Sequence, residues 1–271
     1  MKDFNKAVER ARKLREPGSP NEDSDLEFEG EELAAETPSL VDQIHYSQTR
    51  TIVPGADALA ANCVVANSLN AGASAAYDML RTQVLQKLDE NGWNSIAVVS
   101  PSAAEGKTLT GVNLAISIAR NVTHTVLLVD LDLRHPNVHT TLGCKPEYGI
   151  GDYLINDIPL HKILFTTGIP RLVVLPGREA LENSAELLSS PKMVRLTEEL
   201  KQRYASRIVI FDLPPLLATD DAIAFSPYVD AVLMVIKEGV TRIADVRRAS
   251  GYLKKTPILG TALNHSIHKL E

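Results

Sequence analysis

Five polar residues of this chain could do chemistry together: Lys107, Thr108, Asp130, Asp132 and Asp212. Each stands at or just beyond the end of a short apolar run. Lys107 and Thr108 close "VVSPSAAEGKT", Asp130 and Asp132 lie in "VLLVDLDLRHP", and Asp212 ends "RIVIFD" before a double proline. A strand, a loop and then a helix opening at Lys107 is the context in which loop N–H groups and a helix N-terminus hold phosphate oxygens. Lys107 would bring a point charge to the outer phosphates, and the Thr108 hydroxyl would ligate magnesium. The expected phosphate-binding stretch is Ala104, Glu105, Gly106, Lys107, Thr108 and Leu109. Its loop is unusual. Pro101 stands where the first glycine of such loops falls, and Ala103 and Ala104 resist positive φ.

The aspartates give the loop a purpose. Residues two apart point to the same side of a strand, so Asp130 and Asp132 should face one site and repel each other there unless something compensates them. A magnesium ion, or a hydroxyl awaiting proton abstraction, would do so. Asp212 fits the acid that holds magnesium through water. The candidate metal set is therefore Thr108, Asp130 and Asp212, and the catalytic set Lys107, Asp130 and Asp132. A single strand-ending aspartate commonly caps a helix or forms a turn. Three of them beside a Lys-Thr pair argue for a site.

These residues need a scaffold that brings several strand ends together. Short β-branched runs are expected as strands at 95–100, 125–130, 171–176, 207–212, 231–236 and 258–263. Helical stretches are expected at 57–90, 107–121, 182–205, 219–228 and 241–255. Apolar strands alternating with helices predict an α/β fold, a doubly wound, mostly parallel sheet covered on both faces. In such sheets ligands bind beyond the carboxyl ends of the strands, where all five residues fall.

The remainder of the chain is read more briefly. Residues 1–16 carry six Lys/Arg against three Asp/Glu and suit a short basic helix. Residues 17–36 carry eight acidic residues and no basic one, so 17–55 reads as an acidic flexible linker and 56–271 as the P-loop domain. With a formal charge of −6 and no basic face, nucleic acid is not an expected partner. Cys63 and Cys144 have no framework or metal spacing and suit a reducing cytosol. No apolar run approaches the ~20 residues that span a bilayer, so membrane association would need a partner. His135 and His139, four apart, lack a third nearby ligand, and "YGIGDYL" reads as a turn into a short helix.

The order "SPSAAEGKT … VLLVDLDLRHP … VIFDLPPLLATDDA … LN" resembles the bacterial tyrosine kinases of exopolysaccharide and capsule biosynthesis, most of all the soluble autokinase type of exosortase-linked clusters. The likeness runs from about Ile44 to Asn264 and includes "AAYDMLRTQ" and "AELLSSPKM". It implies a P-loop NTPase fold with deviant Walker motifs, and Mg-ATP served by Lys107, Thr108 and Asp212. It also implies that Asp130 and Asp132 assist the metal and activate the accepting tyrosine, and that Asn264 lies near the adenine. The implied activity is ATP-dependent protein-tyrosine phosphorylation regulating polysaccharide polymerisation and export. The implied location is the cytoplasm, at the inner membrane through a membrane-embedded chain-length regulator, a Wzz-like activator, with self-association possible.

Three departures from the family pattern shape the alternatives. Ala103-Ala104 replace a Pro-Gly pair. The oligomerisation motif of a glutamate and two arginines reads Ala75, Asp78 and Arg81. No tyrosine cluster ends the chain: the last tyrosine is Tyr252, and Tyr46 is the first candidate acceptor. A nucleotide-binding adaptor of the same machinery is thus the alternative. A partitioning-type ATPase is less favoured, because Ser102 stands where those proteins carry an extra lysine.

Overall fold

The computed structural model describes residues 49–65, 71–204 and 206–266. The expected basic helix at 1–16, and Tyr46, lie outside them. An eight-stranded sheet forms the centre: β1 (Arg50–Thr51), β2 (Ser95–Val99), β3 (Thr125–Asp130), β4 (Phe165–Thr166), β5 (Leu172–Leu175), β6 (Arg207–Asp212), β7 (Ala231–Lys237) and β8 (Ile258–Asn264). Its spatial order is β1-β4-β5-β3-β6-β2-β7-β8. Among the described residues the β4–β5 pairing is the antiparallel one, and the other pairings are parallel. β1 and β4 escape the sequence pattern because each is two residues long. Arg50 and Thr51 fall within the stretch read as linker, so the described sheet begins before Ala56.

The helices are α1 (Ala56–Ala61), α2 (Ala71–Asn91), α3 (Lys107–Arg120), α4 (Val138–Thr141), α5 (Ile150–Asn156), α6 (Leu160–Ile163), α7 (Ser184–Leu188), α8 (Pro191–Gln202), α9 (Asp221–Phe225) and α10 (Ile243–Tyr252). Alternate strand residues feed two cores. Ile96 and Val98 face α2 and α3 with Leu88 and Val112. Ala97 and Val99 belong to the opposite core, with Leu196, Phe225 and Ala249 of α8, α9 and α10. Fully buried, two-sided strands explain why the runs read as continuous apolar segments.

Two expected helices are each split. The 182–205 stretch breaks at Ser189-Ser190, where the Ser190 hydroxyl accepts the Met193 N–H at 3.2 Å and Pro191 takes the first helical turn. The 57–90 stretch ends its first helix at Ala61 and resumes at Ala71. Past Phe225 the 219–228 stretch tightens into a 3₁₀ turn, Ser226–Tyr228.

At the amino end of β2 one acid secures the strand that carries the loop. Asp230 Oδ2 accepts from Asn94 N at 3.1 Å, Ser95 N at 3.0 Å and Ser95 Oγ at 2.7 Å, while Oδ1 meets Lys201 Nζ at 2.6 Å. Burial pushes its acidity one way, but Lys201 and these donors outweigh it and hold the carboxyl below its ordinary value. Asp230→Ala should cost about 2–4 kcal/mol, since two backbone N–H groups lose their acceptor. Urea unfolding would read this as a lower midpoint at unchanged slope. A depressed acid stabilises above its unfolded pKa and loses that contribution as pH falls. The gap between wild type and variant should therefore close in acid.

Candidate functional site: a phosphate loop ringed by carboxylates

β3 and β6 run in register from Thr125↔Arg207 to Asp130↔Asp212, so the two acids end neighbouring strands at one level. β2 lies on the other side of β6, and its chain leaves the sheet at Ser100 to form the loop. Gly106, at φ +88°, turns the chain into α3. Ala104 does take the left-handed conformation that alanine resists, at φ +59°, a cost of about 1–2 kcal/mol.

The loop is held by side chains rather than by extra glycines. Ser100 Oγ donates to Ser102 O at 2.6 Å. Glu105 folds inward: Oε2 accepts from Ser102 N at 3.1 Å, and Oε1 accepts from Thr241 Oγ1 at 2.6 Å. Asn264 Nδ2 donates to the Glu105 carbonyl at 3.0 Å. Asn264, which the resemblance puts near an adenine, thus has its amide on the phosphate loop. Thr241 was not singled out, and nothing in its sequence neighbourhood marks it. The 105-to-241 contact follows only from the packing of β7 beside β2.

Lys107 Nζ lies 2.8 Å from Asp132 Oδ2 and 3.4 Å from Asp212 Oδ1. Thr108 Oγ1 donates to Asp212 Oδ2 at 2.6 Å. Burial works against the Lys107 charge, yet Asp212 and Asp132 outweigh it and raise its pKa. Asp130 and Asp132 divide their tasks. Asp132 faces Lys107, whereas Asp130 Oδ2 accepts from Val138 N at 3.0 Å, and Asp130 Oδ1 is buried without a hydrogen-bond partner among the described residues. Burial first, then Asp212, pushes Asp130 up to about 8, and burial also raises Asp212. Gly177 backs this acid. A Cβ there would stand 2.5 Å from Pro136 Cβ and 3.2 Å from Asp130 Cγ, so no larger residue fits.

A cleft of about 560 Å³ opens at the loop, lined by Ala103, Ala104, Gly106, Lys107, Thr108, Leu109 and Asp132. Asn62, His135, Asn137, Thr140, Thr141 and Pro215 complete the lining. Asn62 follows α1, and its Nδ2 donates to Thr140 O and Thr141 O at 3.0 and 3.1 Å, tying the segment before α2 to the cleft wall. Among the described residues no three His, Cys, Asp or Glu side chains converge as a metal cluster, His135 and His139 included. The donor set fits a hard cation that keeps several waters: a hydroxyl, the Asp212 carboxylate it touches, and the unpartnered Asp130 oxygen.

Residues 94–246 match the AAA domain family, which places the chain among P-loop ATPases by class. The chain is similar to the tyrosine-protein kinase YwqD of Bacillus subtilis (strain 168), at 32% identity over 190 residues, 69% of this chain and 79% of YwqD. It is similar also to the putative tyrosine-protein kinase CapB of Staphylococcus aureus, at 26% over 187 residues, 68% of this chain and 81% of CapB. The solved kinase domain of VpsO shares the fold with a TM-score of 0.64 and 30% identity, over 73% of this chain and 95% of that domain. The chain belongs to the bacterial tyrosine-protein kinases.

Proposed function

We propose that this chain transfers the terminal phosphate of ATP to protein tyrosine, and that it does so within the machinery that makes and exports a bacterial exopolysaccharide or capsule. What carries the reading is the convergence of Lys107, Thr108, Asp132 and Asp212 at the mouth of a braced phosphate loop. Loop N–H groups from Ala104 to Leu109 bind the phosphates, and Lys107 leaves its aspartates to neutralise the outermost one. Magnesium, held by Thr108, Asp212 and Asp130, would neutralise charge on the phosphates. An aspartate of the Asp130/Asp132 pair accepts the tyrosine Oη–H proton as the Oη–P bond forms and ADP departs with the cleaved bond's electrons. Catalysis of this kind is mainly positioning and electrostatics. Asn264, through the Glu105 carbonyl, keeps the loop against the side from which the nucleoside enters.

The partner in this reading is a membrane-embedded chain-length regulator, and the chain sits in the cytoplasm beside it. None of the described helices is long and apolar enough to cross a membrane. Among the described tyrosines Tyr252 is the one counted as exposed, and Tyr46 remains the first acceptor to examine.

The test is intact-mass and phosphosite mass spectrometry after incubation with Mg-ATP, alone and with the regulator's cytoplasmic segment. Phosphotyrosine that vanishes in Asp212→Asn is the expected result. Bound nucleotide without phosphotyrosine under either condition would replace the kinase with a nucleotide-binding adaptor.

A further inference from the structure

Outside the residues that line the phosphate cleft, apolar and cationic side chains occur together on and around α10. Among the described residues Val240, Ile243, Tyr252, Ile258 and Leu263 are large apolar side chains left in solvent, Val240 at 62% and Ile243 at 73% of their area. All lie on α10, the loop before it, or the edge strand β8. Residues 242–255 also hold five Lys/Arg against one acid, in a chain of net charge −6. On α10 itself the two sets share a face. Ile243, Arg247 and Gly251 follow one i,i+4 row of α10, with Arg248 and Tyr252 on the adjacent row, while Ala249 and Leu253 turn into the core. Only Arg248 pairs with an acid among the described residues, at 3.6 Å from Asp245. Among the described residues, none of these side chains lines the phosphate cleft.

We propose that this face of α10 docks directly on an anionic lipid surface. Single exposed apolar residues are ordinary, but apolar tips set among unpaired cations are what an interfacial helix presents to a bilayer. The cations gain from the negative potential of such a surface, and the apolar tips enter between headgroups. An acidic chain segment would suit the charge equally. It would want a groove to seat its side chains, and two clefts formed by the described residues, over the phosphate loop and around Trp93, are lined by other residues. The outer face of a helix is convex, which a deformable bilayer accommodates and an extended peptide does not. The proposal does not rest on phosphotransfer, so an inactive kinase would leave it standing.

The test sediments the full-length protein with vesicles of phosphatidylglycerol and phosphatidylcholine in equal parts, and with phosphatidylcholine alone. Wild type should bind the anionic vesicles, not the neutral ones, and lose that binding as salt rises. The combined variant Arg247→Glu/Arg248→Glu/Lys254→Glu/Lys255→Glu should lower the partition coefficient by about 100-fold or more. Ile243→Ser alone should lower it several-fold, which a purely electrostatic contact would not show. All five positions are exposed, and unchanged thermal melting would verify that the variants fold. Three results would overturn the proposal: no binding to anionic vesicles, equal binding to neutral ones, or a quadruple variant that binds like wild type. Retention on polyglutamate without vesicle binding would assign the face to an acidic protein instead.

Discussion

Lys107→Met should lower tyrosine phosphotransfer by about 10³-fold, the scale on which a preorganised cationic or hydrogen-bonding group at a developing charge contributes. The structure indicates why the fold should survive. Lys107 sits among Asp132 and Asp212, with Asp130 close enough to influence its charge. Removing the cation that pairs with such acids ordinarily costs about 3–5 kcal/mol. Here Asp130 is already held up to about 8, and burial has raised Asp212 as well. These acids can take up protons instead of remaining as uncompensated charges, which limits the loss. Far-ultraviolet circular dichroism and a melting curve would report the fold, and phosphosite mass spectrometry the transfer. Transfer at the wild-type rate would remove Lys107, and this cleft, from the reaction.

Gly106→Ala should weaken nucleotide binding sharply for a different reason. A Cβ at residue 106 would stand 1.9 Å from Asn264 Nδ2, at a backbone φ of +88°. The Asn264 amide must then leave the Glu105 carbonyl, and the loop loses its tie to β8. Strain and a lost hydrogen bond together should cost about 2–4 kcal/mol, or roughly 30- to 1,000-fold in nucleotide affinity if most of it falls on the loop. Gly92→Ala provides the control. Its φ is +67°, yet no atom lies within 4 Å of the added Cβ, so it should cost about 1 kcal/mol of stability and leave nucleotide binding alone. Titration of a fluorescent ATP analogue against all three proteins separates the effects. Equal affinity in Gly106→Ala would mean that the loop repacks and that its φ does not matter.

The sheet was largely legible in the sequence because its central strands are buried on both faces. "TVLLVD" and "RIVIFD" carry that burial in every residue, and their bounds match the expected ones. The Lys107, Thr108, Asp130, Asp132 and Asp212 cluster was legible for the same reason, since polar residues at the ends of apolar runs stand out. Short elements were not. β1, β4 and α4 are too brief for periodicity to register, and β4 runs antiparallel where an all-parallel alternation would be the simpler guess. The bracing of the loop was invisible as well. Glu105 was read as a backbone contributor, whereas its side chain reaches 136 positions along the chain to Thr241. Nor could sequence show that Asp130 and Asp132, two apart and expected to act alike, would part company, one held by Val138 N and the other by Lys107.

The pairing of β3 with β6 makes the sheet a ruler. Six consecutive residue pairs hold Asp130 level with Asp212, and strand side chains alternate faces with a period of two. A slip of one position would swing one acid to the far side of the sheet while leaving every apolar run intact. Leucines and valines deep in the core, which never meet a phosphate, thereby decide where the acids stand.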